Sequence, residues 1–433
     1  MIYYFLKLPI RLTFMLFFRK VYITNKKKLP KGYSLIFASN HPTAFLDPIF
    51  PAAFLRRFTL DFLLRGDVFT SKFVITLLRS VHTIPIFRFR DGFENMRRNQ
   101  EAFDHCYRAL GSGKRHVLVL AEGFVLHAKR LKPIQKGVAR LAFGAYEANN
   151  KMENIAIIPT AVNYTDGSKF RSDAAMLDFG DPIYLKDYIS EYEQNDRKAV
   201  KMLTEEIAKR LRKKVVHIED QELEPTVNRV MDINRNSKLV PSFPILSNDK
   251  SALQREMKLA DQVNNMDEEE VAQMKEHLAT YENMLTEAKV TDLGIAQTKC
   301  FNFFNLLFLI IGFLPFLIGQ ITTYPIIWLG KYAAGKLVKQ IEFYSSLMVG
   351  VMLVSFTLYW LIWVLVTAII GNWWWIAFAL LLPVIGYFAV FYQERFVLWN
   401  EARKAANLKS DIRRKLQQQR DLLLSSVVPG YVF

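Results

Sequence analysis

The chain predicts an α/β domain with a mostly parallel sheet, then a charged helical linker, then C-terminal transmembrane helices. Three observations carry that prediction. Short apolar runs alternate with helical stretches from Val21 to about Asp220, the order of a sheet with crossover helices. Within 221–298, acid and base alternate from about Lys250 to Ala288, as on a solvated helix or helical pair. Three apolar blocks follow residue 300, and each approaches or exceeds the ~20 residues that span a bilayer.

Residues 1–30 form the first segment. Its opening 20 residues are rich in Phe, Leu, Ile and Tyr but carry Lys7, Arg11, Arg19 and Lys20, with no small-residue cleavage site. Lys7 and Arg11 are four apart and share a helix face, which leaves Phe5, Leu6, Ile10, Phe14 and Phe17 for the other. That pattern predicts an interfacial amphipathic helix. Residues 31–220 are the α/β domain. Its candidate strands are 34–38, 60–64, 83–87, 117–120 and 155–161, with helices over 69–78, 92–110 and 137–148 and a charged helix over 197–215.

Residues 221–298 read as a linker region with helices, punctuated by Pro225, Pro241 and Pro244. Residues 299–395 are the membrane domain and 396–433 a basic tail. Blocks 343–370 and 373–392 are expected to form a hairpin turned by Gly371-Asn372, with Trp373-Trp374-Trp375 at an interface. Block 301–329 contains Gly312, Pro315, Gly319 and Pro325, which predicts a re-entrant pair of half-helices. Lys331, Lys336 and Lys339 precede the hairpin, while Arg395, Arg403, Lys404 and further basic residues follow it. Both sets on the cytosolic side place the α/β domain there too.

The net charge of +16 fits an anionic membrane or phosphorylated lipid, given the apolar segments beside the basic clusters. No zinc-finger spacing or aromatic-basic RNA signature is present, so nucleic acid is not an expected partner. Cys106 and Cys300 make no disulfide framework.

Four elements carry candidate chemistry. Asn40-His41-Pro42-Thr43-Ala44-Phe45-Leu46-Asp47 follows a buried strand. An imidazole titrates near ~6.5, close to working pH, and a nearby carboxylate can fix its tautomer and stabilise the imidazolium. Asp47-Pro48 also reads as a helix start, and one aspartate can serve both ends. In 83–90 a strand runs out into Arg88 and Arg90, whose forked guanidinium groups suit a phosphate. The strand before Glu122-Gly123 places an acceptor and an unobstructed backbone at the sheet edge, so that Glu122 would bind substrate hydroxyls or balance Arg88. Beyond it, Lys136-Gly137 opens a helix whose N-terminus favours anions. The fourth element, 157–163, is a buried strand containing Pro159.

Taken in order, these four elements resemble the four blocks of the glycerol-3-phosphate and 1-acylglycerol-3-phosphate (lysophosphatidic acid) O-acyltransferase family, over about residues 30–185. Phe179-Gly180-Asp181-Pro182-Ile183 is similar to that family's Phe-Gly-x-Pro-Ile run. The usual spacing is four residues between His and Asp, whereas five separate His41 from Asp47. The His-x-x-x-Phe-x-Asp-Pro context most resembles the membrane-bound yeast-type glycerol-3-phosphate/dihydroxyacetone-phosphate acyltransferase branch. In the third block Ala121 replaces a proline and Phe124 a threonine, which removes a hydroxyl for the acceptor's phosphate.

The resemblance implies a glycerolipid acyltransferase-like domain with His41 and Asp47 as the catalytic dyad. Arg88, Arg90, Glu122, Gly123 and Lys136 would bind the acceptor. It also implies transfer of a fatty acyl group from acyl-CoA or acyl-ACP, as co-substrate, to glycerol 3-phosphate or its 1-acyl derivative. Neither a metal nor a redox cofactor is expected. A lipid hydrolase or another lipid acyltransferase using the same pair, and a non-catalytic membrane scaffold, are the alternatives; no Gly-x-Ser-x-Gly elbow supports a serine hydrolase.

Overall fold

The computed structural model describes residues 2–87, 99–239, 241–428 and 430. It divides into two units: Met1–Val216 with Phe243–Lys250 and Leu337–Val349, and His217–Ser242 with Ser251–Lys336 and Gly350–Phe433.

The first unit opens with α1 (Ile2–Phe17), β1 (Phe18–Thr24), β2 (Ser34–Ser39), α2 (Leu46–Phe54), β3 (Thr59–Arg65), α3 (Lys72–Ser80) and β4 (Thr83–Ile86). It continues with α4 (Asn99–Gly111), β5 (Arg115–Leu120), α5 (Gly137–Ala148), β6 (Ile155–Tyr164), β7 (Ser172–Phe179), β8 (Ile183–Tyr184), α6 (Ile189–Gln194) and α7 (Asp196–Arg212). The strand order is β4-β3-β5-β2-β6-β7-β1, closed by a short strand at Leu246–Ser247, with β8 beside β6. Every pairing is parallel except those of β6 with β7 and with β8. The five expected strands are present; β1, β7 and β8 were not expected. Their short or polar-interrupted runs, such as Phe18–Thr24 with Arg19 and Lys20, give no clear strand signal.

Centrally placed strands are mostly apolar because both faces are covered. All six residues of β2 are buried, as are all ten of β6. Ile36 and Ala38 of β2 face a core shared with Cys106 and Leu110 of α4, Leu141 and Phe143 of α5, and Leu203 and Ile207 of α7. An aromatic cluster joins α1, β1, α2 and β6: Phe14 stacks on Phe50 at 5.2 Å, and Phe18 on Tyr164 at 5.4 Å.

Helix α1 buries Lys7 together with Tyr3, Phe14 and Phe17, so the expected charged face does not stay in water. Lys7 is buried, and its Nζ donates to the carbonyls of Leu55 (3.1 Å) and Phe58 (2.7 Å) just past the end of α2. A cation at a helix C-terminus satisfies carbonyls that have no helical partner. Burial lowers its pKa to about 8. The outward face carries Ile2, Phe5, Leu8 and Leu12.

In the second unit, residues expected to form a linker and a tail fold together. Among its helices are α8 (Glu224–Ser237), α9 (Ser251–Asn264), α10 (Glu268–Ala288), α11 (Asp292–Ala296) and the C-terminal helix Ser410–Val427, and Asp292 of α11 is a buried carboxylate. Asp292 accepts from Arg420 Nε (2.7 Å), Tyr281 OH (2.7 Å) and Asn236 Nδ2 (2.8 Å). Buried charge is tolerated where it is paired and hydrogen-bonded in this way.

Among the described residues, three helices are long and apolar enough to cross a membrane: α12 (Phe303–Leu337), α13 (Ile341–Ile370) and α14 (Trp373–Ala406). The expected pair of half-helices is instead one continuous helix, with Pro315 and Pro325 inside α12. Gly319 is where α12 meets α14, since a Cβ there would come within 2.6 Å of the Ile385 carbonyl.

One buried histidine makes the first unit acid-sensitive. His116 Nδ1 accepts the Leu35 N–H at 3.1 Å, and burial lowers its pKa from 6.5 to about 4. The fold keeps it neutral while the unfolded chain takes up a proton, so its contribution is whole above pH 6.5 and is lost as pH falls toward 4. Denaturant midpoints in detergent should decline across that window by stability on the order of 3 kcal/mol, and His116→Gln should flatten that part of the curve.

Candidate active site

In sheets of this kind, ligands meet the carboxyl ends of the strands. Here the chain leaves β2 at Asn40, whose buried side chain accepts the Val162 N–H (2.7 Å) and donates to the Val162 carbonyl (2.9 Å). That pair ties the end of β2 to β6 and turns His41 out of the sheet. Residues 42–45 form an irregular loop before α2, so His41 stands just before that loop and Asp47 in the first turn of α2.

The two side chains meet, with His41 Nδ1 2.8 Å from Asp47 Oδ2. Asp47 is wholly buried and also accepts from the Thr43 N–H (2.8 Å), Thr43 Oγ1 (2.6 Å) and Tyr164 OH (3.1 Å). Four donors fill the acceptor capacity of one carboxylate. The carboxylate side of the ring therefore takes the imidazole proton, and Nε2 is left as the lone-pair nitrogen on the other side. His41 lines the cavity, and only 14% of its side chain is exposed. Burial and the neighbouring Asp47 carboxylate push the Tyr164 hydroxyl far above its ordinary pKa, so it stays a donor.

A second buried pair holds the histidine's backbone. Glu122 Oε2 accepts the His41 N–H at 2.6 Å, and Lys132 Nζ donates to the His41 carbonyl at 3.0 Å. The two charges pair at 2.9 Å, and Glu122 Oε1 accepts the Lys132 N–H. Burial pushes the Glu122 carboxyl up, against the pull of Lys132. With both oxygens occupied, Glu122 faces the His41 backbone and Lys132 rather than an open acceptor site. Gly123 has φ +77°, a conformation that suits glycine, and a Cβ there would meet Gln135 Cγ at 3.1 Å.

A cavity of about 1140 Å³ opens beside the dyad. Leu6 and Ile10 of α1, Ile49 and Ala52 of α2, Val81 and Phe103 give it largely apolar walls. His41 and Gly123 line it together, as does Arg65 at the end of β3, which pairs with Asp67. Lys136 stands exposed at the N-terminal end of α5, between Gln135 and Gly137 of the cavity wall. Arg88 and Arg90 lie outside the described residues.

Four supporting groups escape a sequence reading. Thr43 lies inside the motif, but any small polar residue would read the same there. Tyr164 is 117 residues from Asp47 and is brought in by β6. Lys132 looks like one of several basic residues, and nothing local marks it as buried. Arg65 becomes visible only when β3 is placed beside β4.

Residues 20–163 match the family model described as Acyltransferase, and that segment holds His41, Asp47, Glu122 and Gly123. No curated protein matches the chain. Among solved structures, the 1-acyl-sn-glycerophosphate (LPA) acyltransferase PlsC from Thermotoga maritima is similar at 17% identity with a TM-score of 0.32, over 46% of this chain and 73% of that one. So weak a likeness carries no argument about substrate or branch.

Removing one member of the clamp leaves a buried charge alone. Lys132→Met should destabilise the first unit by about 3–5 kcal/mol, read as a lower denaturant midpoint. Adding Glu122→Gln to that variant should recover part of the loss.

Proposed function

We propose that this chain is a membrane-bound glycerolipid O-acyltransferase. The reading rests on one observation above the others: an imidazole held by a buried carboxylate lines a large, mostly apolar cavity. In the proposed step His41 Nε2 takes the proton of an acceptor hydroxyl as the oxygen attacks the thioester carbonyl. The tetrahedral intermediate collapses, the C–S bond breaks, and the imidazolium returns its proton to the departing thiolate. The new ester and a free thiol are the products, and the enzyme ends in its starting state. Because the thioester is already activated, no covalent intermediate on the protein is needed.

The donor is acyl-CoA or acyl-ACP, with the chain in the apolar cavity. The acceptor is glycerol 3-phosphate or its 1-acyl derivative, with the phosphate held by Arg88, helped by Arg90, Lys136 and Arg65, beside Gly123. The five-residue spacing and the Phe45-x-Asp47-Pro48 context support the yeast-type branch. The exposed apolar face of α1 supports seating on a phospholipid membrane, with the domain on the cytosolic side.

The test is transfer of a radiolabelled acyl group from its thioester on membranes containing the full chain, across a panel of glycerophosphate and lysophospholipid acceptors. Labelled ester should form with wild type, and His41→Ala should cut turnover by about 10²–10⁴-fold without loss of folded protein. Retained turnover in purified His41→Ala would remove the dyad from the mechanism. Absence of transfer to every acceptor by wild type would favour a scaffold.

A further inference from the structure

The loop that carries both members of the dyad is held from far along the chain. Residues Leu337–Val349 pack within the first unit, and they include the first turns of α13. Three successive loop amides have fixed acceptors. Thr43 N–H goes to Asp47 itself, Ala44 N–H to the Glu342 carbonyl (3.1 Å), and Phe45 N–H to Ser346 Oγ (3.0 Å). The Phe45 ring rests edge-on against Phe343, with centroids 6.1 Å apart. Glu342 Oε1 also accepts the His127 N–H at 3.4 Å, and Gln340 and Phe343 join the cavity wall.

Within a helix, a serine hydroxyl ordinarily turns back to a carbonyl of its own helix. Ser346 instead offers its oxygen to a backbone amide 301 residues away. The neighbouring Ser345 is buried where Ser346 is only half-buried, yet the Ser345 hydroxyl has no hydrogen-bond partner among the described residues. The two serines thus separate burial from loop contact.

We infer that Ser346 is a positioning residue of the dyad: through the Phe45 amide, the start of the membrane-length helix α13 sets the spacing of His41 and Asp47. Residues 42–45, between His41 and the start of α2, have no regular secondary structure, so their shape depends on such outside acceptors. A small misplacement of a proton acceptor lowers turnover without weakening substrate binding.

This inference rests on the acyl-transfer reading, and its test has an arm that does not. Full-length Ser346→Ala, Ser346→Thr and Ser345→Ala are compared in detergent or nanodiscs by acyl transfer and by amide hydrogen exchange. Ser346→Ala should lower kcat about fivefold while KM for the thioester stays within about twofold. Amides of residues 44–46 should exchange several-fold faster. Ser346→Thr, which keeps the hydroxyl, should restore both readouts, and Ser345→Ala should match wild type in both. Equal kcat and equal exchange in Ser346→Ala and Ser345→Ala would overturn the inference. Faster exchange in Ser346→Ala with no acyl transfer by wild type would sink the acyl-transfer reading but support the hold on the loop.

Discussion

The Asp47 carboxylate is the constraint on which the site depends. Taking such a charge out of water costs several kcal/mol even after relaxation. Four hydrogen bonds at about 1.5–3 kcal/mol each offset that cost only if every donor is in place. His41, Thr43 and Tyr164 therefore do more than decorate the carboxylate. Their positions and its burial are mutually required, and the ring orientation of His41 follows from the same balance. Tyr164 in turn is set by its stack on Phe18, so the aromatic packing of α1, β1 and β6 reaches the chemistry through one hydroxyl.

The histidine is fixed twice over, by side chain and by backbone. Asp47 sets the ring, while the Glu122–Lys132 pair holds both sides of the His41 peptide unit. A buried ion pair is weak evidence for stability, since its desolvation offsets much of its attraction. Here its geometry is better explained by placement, because each charge also bonds a backbone group at the site.

The sheet was legible because buried strands such as 34–38 and 155–161 are mostly apolar, and the His41–Asp47 contact because a histidine follows a strand end with a carboxylate a few residues on. Strands β1 and β7 carry charges such as Arg19 and Asp173 that pair across neighbouring strands, which hides them. Lys7 reads as solvent-facing, yet the carbonyls past α2 draw it inward. Likewise Asp292 and Arg420 look like ordinary surface charges until the helices of the second unit bring them together. Lys132, Tyr164 and Ser346 act through contacts far apart in the chain, and no local spacing encodes those.

The most direct measurement of the central claim is the tautomer of His41. Histidine-selective ¹⁵N labelling, with the signal assigned by its loss in His41→Gln, reads which ring nitrogen carries the proton in the neutral form. The account predicts a proton on Nδ1 and a bare Nε2, with that preference lost in Asp47→Asn. A bare Nδ1, or a preference indifferent to Asp47, would contradict it.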